Sequence, residues 1–126
     1  MAKHSTSQQI IGVFDEELAP RIQIASASTR FSVVVDTGFN GELMLPRAVL
    51  HECGFVYSMK SEAELADGTV VEATLYSGVI HWFGEARSVQ AMLTDSKSAL
   101  LGTEMFFGLT VLLDLDEKKV VLEKKE

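Results

Sequence analysis

Short runs rich in β-branched and aromatic residues follow one another along most of this chain, separated by turn signals about every 8–12 residues. Such spacing leaves little room for long helices and points to an all-β sandwich or barrel. IIGVF (10–14), RIQIA (21–25) and FSVVVD (31–36) read as strands. In the third, a period of two separates Phe31, Val33 and Val35 from Ser32, Val34 and Asp36. ELML (42–45) reads as a further short strand. Pro46 then opens a short helix and Gly54 closes it, with Val49, Leu50 and Cys53 on the buried face.

ELADGTVVEATLY (64–76) carries Asp67-Gly68 between β-rich runs, a hairpin signal. GVIHWF (78–83), the turn GEAR (84–87) and SVQAMLT (88–94) suggest a second hairpin. SALLG (98–102) is a very apolar strand ending in glycine. TEMFFG (103–108) reads as a helix of one or two turns, with Thr103 as N-cap and Gly108 as its stop. TVLLDL (110–115) and KKVVLEK (118–124) pair across residues 116–117. The expectation is roughly nine or ten strands and two short helices.

A length of 126 residues fits one domain. With 47% apolar and 23% charged residues, the composition is globular. We expect a flexible tail over residues 1–9 and a single domain over 10–124. The net charge of −7, with Lys and Arg scattered, argues against a nucleic-acid binder, which needs a positive footprint. Cys53 is the only cysteine, so no intrachain disulfide forms. The N-terminal MAKHSTSQQ lacks an apolar signal core. No apolar run approaches the ~20 residues of a membrane helix. A soluble, cytoplasmic protein without membrane or nucleic-acid partners is expected.

Most polar residues read blandly. His4, His51 and His81 have no ligand spacing, so no metal site and no cofactor is expected. Cys53 reads as a small core residue. No serine sits in a GxSxG elbow. DLDEKK (114–119) lacks the ligand count of a calcium loop. Trp82 and Phe83 read as packing residues. The exception is Asp36-Thr37-Gly38, which follows three valines. Taken alone, it reads first as a strand-end aspartate capping a turn.

The wider context changes that reading. VVVDTG, with ALLG and a short helix about sixty residues later, resembles the retropepsin-like aspartic peptidases. DTGFNGELMLP, followed by LADG and LLG, is similar to their small single-domain bacterial and archaeal type, the clan AA aspartic peptidases. The resemblance runs from about Ile10 to about Glu123. It implies a closed retropepsin-like β-barrel with one or two short helices and one lobe per chain. It implies that Asp36 is the catalytic carboxylate and that Thr37 donates its hydroxyl to a partner's backbone. Gly38 would allow the turn, and its N–H would bond the carboxylate. Leu100, Leu101 and Gly102 would form the strand supporting the loop. Ala66, Asp67, Gly68 and Thr69 would be the tip of a flap over the substrate, with Phe39 and Asn40 at the cleft.

Three positions depart from the family pattern. Phe39 stands where active members usually carry Ala or Ser, so its ring bears on the shape of the cleft. Thr103 replaces the arginine of retroviral members. The flap tip has no glycine beyond Gly68. Phe106 or Phe107 is expected to pack beneath Phe39.

The chemistry needs two carboxylates, one as base and one protonated to polarise the carbonyl. Only one triplet is present: Asp67 precedes Gly68, Asp95-Ser96 precedes Lys97, and Asp114 precedes Leu115. The resemblance therefore implies a homodimer in which Asp36 faces Asp36′, an isologous assembly. The expected function is an aspartic endopeptidase acting on a peptide or protein substrate. The alternative is a non-catalytic dimer of the same fold that binds peptides or proteins. KKVVLEK would either interleave with the partner or pair within its own sheet.

Overall fold

Alternation of buried and exposed side chains carries the first half of the fold. The computed structural model describes residues 8–64 and 66–125, without the side chain of Ala63. Three antiparallel strands come first: β1 (Gln9–Phe14), β2 (Pro20–Ser26) and β3 (Arg30–Val35). Ile22, Ile24, Phe31, Val33 and Val35 point to one side and are buried, while Gln23 and Ser32 point to the other. The tail expected over residues 1–9 lies outside the described residues up to 7. Gln9 already belongs to β1 and pairs with Glu123.

β4 (Leu43–Pro46) runs into α1 (Arg47–Glu52). Pro46 is the N-cap in extended conformation, with ψ 156°, and not the first helical residue. With Pro46 extended, the helix starts at Arg47. Of the expected face, Leu50 is fully buried, while Val49 and Cys53 are half-buried. Burial pushes the Cys53 thiol above its ordinary pKa.

The second half is a ribbon that bends back on the core. β5 (Val56–Glu64) pairs with β6 (Val70–Trp82), and β6 pairs with β7 (Glu85–Thr94). β6 is one strand of 13 residues, where the sequence suggests two runs broken near Ser77. The turn after it is Phe83-Gly84, one residue earlier than GEAR. Both residues have positive φ, 52° and 82°, as a two-residue hairpin turn requires. Phe83 and Trp82 are buried edge to face, with centroids 5.2 Å apart.

β8 (Leu100–Leu101) leads into a single 3-10 turn, η1 (Thr103–Met105), then β9 (Leu109–Asp114) and β10 (Lys119–Lys124). The expected helix over 103–108 is thus shorter, and its N-cap is Gly102, not Thr103. Its closing bonds, Met105 to Gly102 and Phe106 to Thr103, are three residues apart. Gly108, at φ 79°, turns the chain into β9.

The ten strands of the described residues belong to one sheet, in the order β5-β6-β7-β4-β8-β3-β2-β1-β10-β9. A further contact, Ala25 with His81 and Ser26 with Ile80, joins β2 to β6. The pairings among β2, β3, β8, β4, β7 and β6 therefore form a ring. Leu43, Leu45, Ile80, Ala91, Leu101 and Met105 fill it, each at most 1% exposed. β10 pairs within its own sheet, between β1 and β9.

Candidate active site

Two strands meet where the sequence singles out Asp36. β8 lies between β3 and β4, parallel to the first and antiparallel to the second. The loop 36–42 must therefore pass around the end of β8 to join its two neighbours. Five backbone bonds fix that crossing. Ala99 accepts from Val34 N–H at 2.8 Å and Leu101 accepts from Asp36 N–H at 2.9 Å. Gly102 N–H donates to Glu42 at 2.9 Å, Thr103 N–H to Phe39 at 2.8 Å and Glu104 N–H to Gly41 at 3.2 Å. The last two amides open η1 and would otherwise lack acceptors, so the loop completes the turn and the turn holds the loop.

The carboxylate sits at the crest of this crossing. Gly38 N–H donates to Asp36 Oδ1 at 2.8 Å, and Phe39 N–H donates to the Asp36 carbonyl at 3.2 Å. Asp36 is half-buried, while Thr37 and Gly38 are exposed. Among the described residues, no group bonds Asp36 Oδ2 or the Thr37 hydroxyl. Leu101 and Gly102 are buried beneath, and Leu100 is half-buried. Asp36, Thr37, Gly38, Leu100, Leu101 and Gly102 thus come together as one unit.

Phe39 does not stand in the open. Its ring lies over Gly41 and Gly102, close enough that a β-carbon on either would strike it. The ring is half-buried and forms one wall of a groove about 250 Å³ in volume, with Leu43, Leu75 and Met92 as the other apolar walls. Asn40 and Glu104 stand at its polar side, and the Thr103 hydroxyl reaches Asn40 Oδ1 at 3.4 Å. Met105, in the turn that follows, is buried in the core at 0% exposure. Phe106 is half-buried against the core, and Phe107 is 81% exposed.

Asp67 and Gly68 form the tip of the β5–β6 ribbon. Asp67 Oδ1 accepts from Thr69 N–H at 2.9 Å, and Gly68 has φ 87°. The Thr69 hydroxyl and then its amide hold the Asp67 carboxyl below its ordinary range. The ribbon is two-faced. Lys60, Glu62 and Glu72 share one side, with Lys60 paired to Glu72 at 3.4 Å. Ala73 and Leu75 share the other, and Leu75 reaches the groove beside Phe39. No hydrogen bond or ion pair joins Ala66, Asp67, Gly68 or Thr69 to the Asp36 loop among the described residues.

Sequence reasoning passed over Glu42. Its carboxylate accepts from Gln90 N–H at 2.7 Å and from the Arg87 guanidinium at 3.2 Å. A lone acidic residue before an apolar strand is the only trace it leaves in the sequence.

No family model and no curated protein sequence matches the chain. Its structure is similar to the crystal structure of a retropepsin-like aspartic protease from Rickettsia conorii. The TM-score is 0.70 at 16% identity, over 98% of each chain. This chain has the retropepsin-like fold. Within it, loop 36–42 carries the Asp-Thr-Gly triplet, and the β5–β6 ribbon carries Asp67 and Gly68 at its tip.

Proposed function

We propose that this chain is one half of a homodimeric aspartic endopeptidase, folded as a single retropepsin-like domain over residues 10–124. The observation that carries the reading is the carboxylate of Asp36, fixed by Gly38 at the exposed crest of a loop locked to β8. The sequence provides one such acid per chain, so a two-fold axis beside Thr37 supplies the second. The Thr37 hydroxyl, exposed and unbonded among the described residues, supports this as a donor for the partner. A second support is the outer edge of the sheet. Among the described residues, β9 has a neighbour on one side only, and it carries Leu112 and Leu113, 50% and 43% exposed.

In the dimer, the two carboxylates lie too close to ionise together and share one proton. The charged one takes a proton from water as its oxygen attacks the amide carbon. The protonated one gives its proton to the carbonyl oxygen. The tetrahedral adduct then breaks its C–N bond as a proton passes to nitrogen, leaving an acid and an amine. The substrate is a peptide or protein lying between the loop and the flap. No helix among the described residues is long and apolar enough to cross a membrane, and we place the dimer in the cytoplasm.

The test is cleavage of a random peptide library at acidic to neutral pH by the wild-type chain and by Asp36→Asn. Turnover that the variant abolishes supports the reading. Turnover that survives in the variant removes it, and a stable dimer without turnover favours the non-catalytic binding module.

A further inference from the structure

We infer that Glu42 is a positioning residue that couples the Asp36 loop to the sheet bearing the flap. The inference rests on the reading of Asp36 as the catalytic carboxylate.

β4 and β7 pair in parallel from Leu43 with Ala91 to Pro46 with Thr94. One residue earlier that ladder stops. The Glu42 carbonyl turns aside to accept from Gly102 N–H at 2.9 Å, which binds it to the strand beneath the active-site loop. The Gln90 amide across the gap then meets no backbone acceptor from β4. The Glu42 carboxylate fills that place, accepting Gln90 N–H at 2.7 Å with one oxygen and Arg87 at 3.2 Å with the other. Its side chain is 23% exposed and that of Arg87 35%, so water screens this pair only in part.

One residue thus holds β8 by its backbone and β7 by its side chain. Gln90 pairs in register with Ser77 of β6, the strand that runs outward to the flap tip. One route from the Asp36 loop to the flap therefore passes through Glu42, beside the β4–β7 ladder. Charge-assisted bonds of this kind are shorter and stronger than neutral ones, which suits a strut between two elements that must keep their spacing. A peptide held between loop and flap is cut only when both keep their distance from its carbonyl, so a loosened strut lowers turnover more than binding.

The experiment compares wild type, Glu42→Ala and Glu42→Gln by amide hydrogen exchange and by steady-state peptide cleavage. Glutamine keeps an oxygen for Gln90 but drops the charge, whereas alanine drops both. In Glu42→Ala, we expect faster exchange at Gln90 and over residues 37–41. We also expect kcat to fall roughly tenfold, the size of one lost charge-assisted bond, with KM little changed. Glu42→Gln should restore most of both readouts. Unchanged exchange over residues 37–41 in Glu42→Ala overturns the inference, as does equal behaviour of the two variants. If the wild type cleaves no peptide, the catalytic reading fails and the exchange data alone decide the coupling: looser loops in alanine, recovered in glutamine, support it.

Discussion

Gly38 donates its amide to Asp36 Oδ1 at 2.8 Å, so the loop that exposes the carboxylate also sets its direction. The Asp36 amide is tied to Leu101 at 2.9 Å. The acid is held through its backbone and through one oxygen, while the other oxygen and the Thr37 hydroxyl have no hydrogen bond among the described residues. A water and a partner chain can use what the loop leaves open.

Replacing Thr37 tests the partner. Two-fold symmetry removes two hydrogen bonds per dimer in Thr37→Ala. At about 1 kcal/mol each, the dimer dissociation constant rises roughly thirtyfold. Thr37→Ser retains the hydroxyl and stays near wild type. Sedimentation equilibrium reads the change, and an unchanged constant for the alanine variant counts against the axis proposed here.

A β-carbon at position 102 has nowhere to go. It overlaps the Gly41 carbonyl oxygen and comes within 2.6 Å of the Phe39 ring. Gly102→Ala should destabilise the fold by about 1–3 kcal/mol, as overpacking does. The urea midpoint should fall with little change in slope. A wild-type midpoint would mean that the loop crossing yields more easily than its five backbone bonds imply.

The flap tip has a pH limit. Asp67 is held below its ordinary value of 3.8 by Thr69. A lowered pKa in the folded state gives a contribution that is present above the unfolded value and lost as pH falls through the folded one. The Thr69 amide resonance should therefore titrate with a midpoint below 3.8. A midpoint above that value contradicts the capped tip.

Leu112 lies on the outer face of β9, in one row with Val121 and Ile11. It is 50% exposed, so a charge there costs the single chain little. Leu112→Glu should yield a folded monomer, with unchanged far-ultraviolet dichroism and half the wild-type mass in light scattering. A variant that remains dimeric moves the interface away from this edge.

Local patterns in the sequence made most of the lobe legible. Valines and isoleucines at a period of two disclosed β2 and β3, and Asp67-Gly68 disclosed the ribbon tip, because these signals act between near neighbours. The triplet and the LLG strand, about sixty residues apart, were legible as a pair only through the family resemblance. What could not be read depends on contacts between distant segments. The turn after Gly102 begins at Thr103 because its first amides bond Phe39 and Gly41, about sixty residues earlier in the chain. Phe39 tucks over Gly41 and Gly102 because the crossing brings both glycines beneath it, which sequence spacing cannot convey. Glu42 was passed over because its partners, Arg87 and Gln90, lie across the sheet.

The distance between the two Asp36 carboxylates in a crystal of the dimer tests the account most directly. A separation of about 3 Å with a water between them is the predicted result, since only such closeness makes the pair share a proton. Carboxylates more than about 6 Å apart, or an Asp36 facing solvent on a lone chain, would contradict it, because neither arrangement gives two like charges a proton to share.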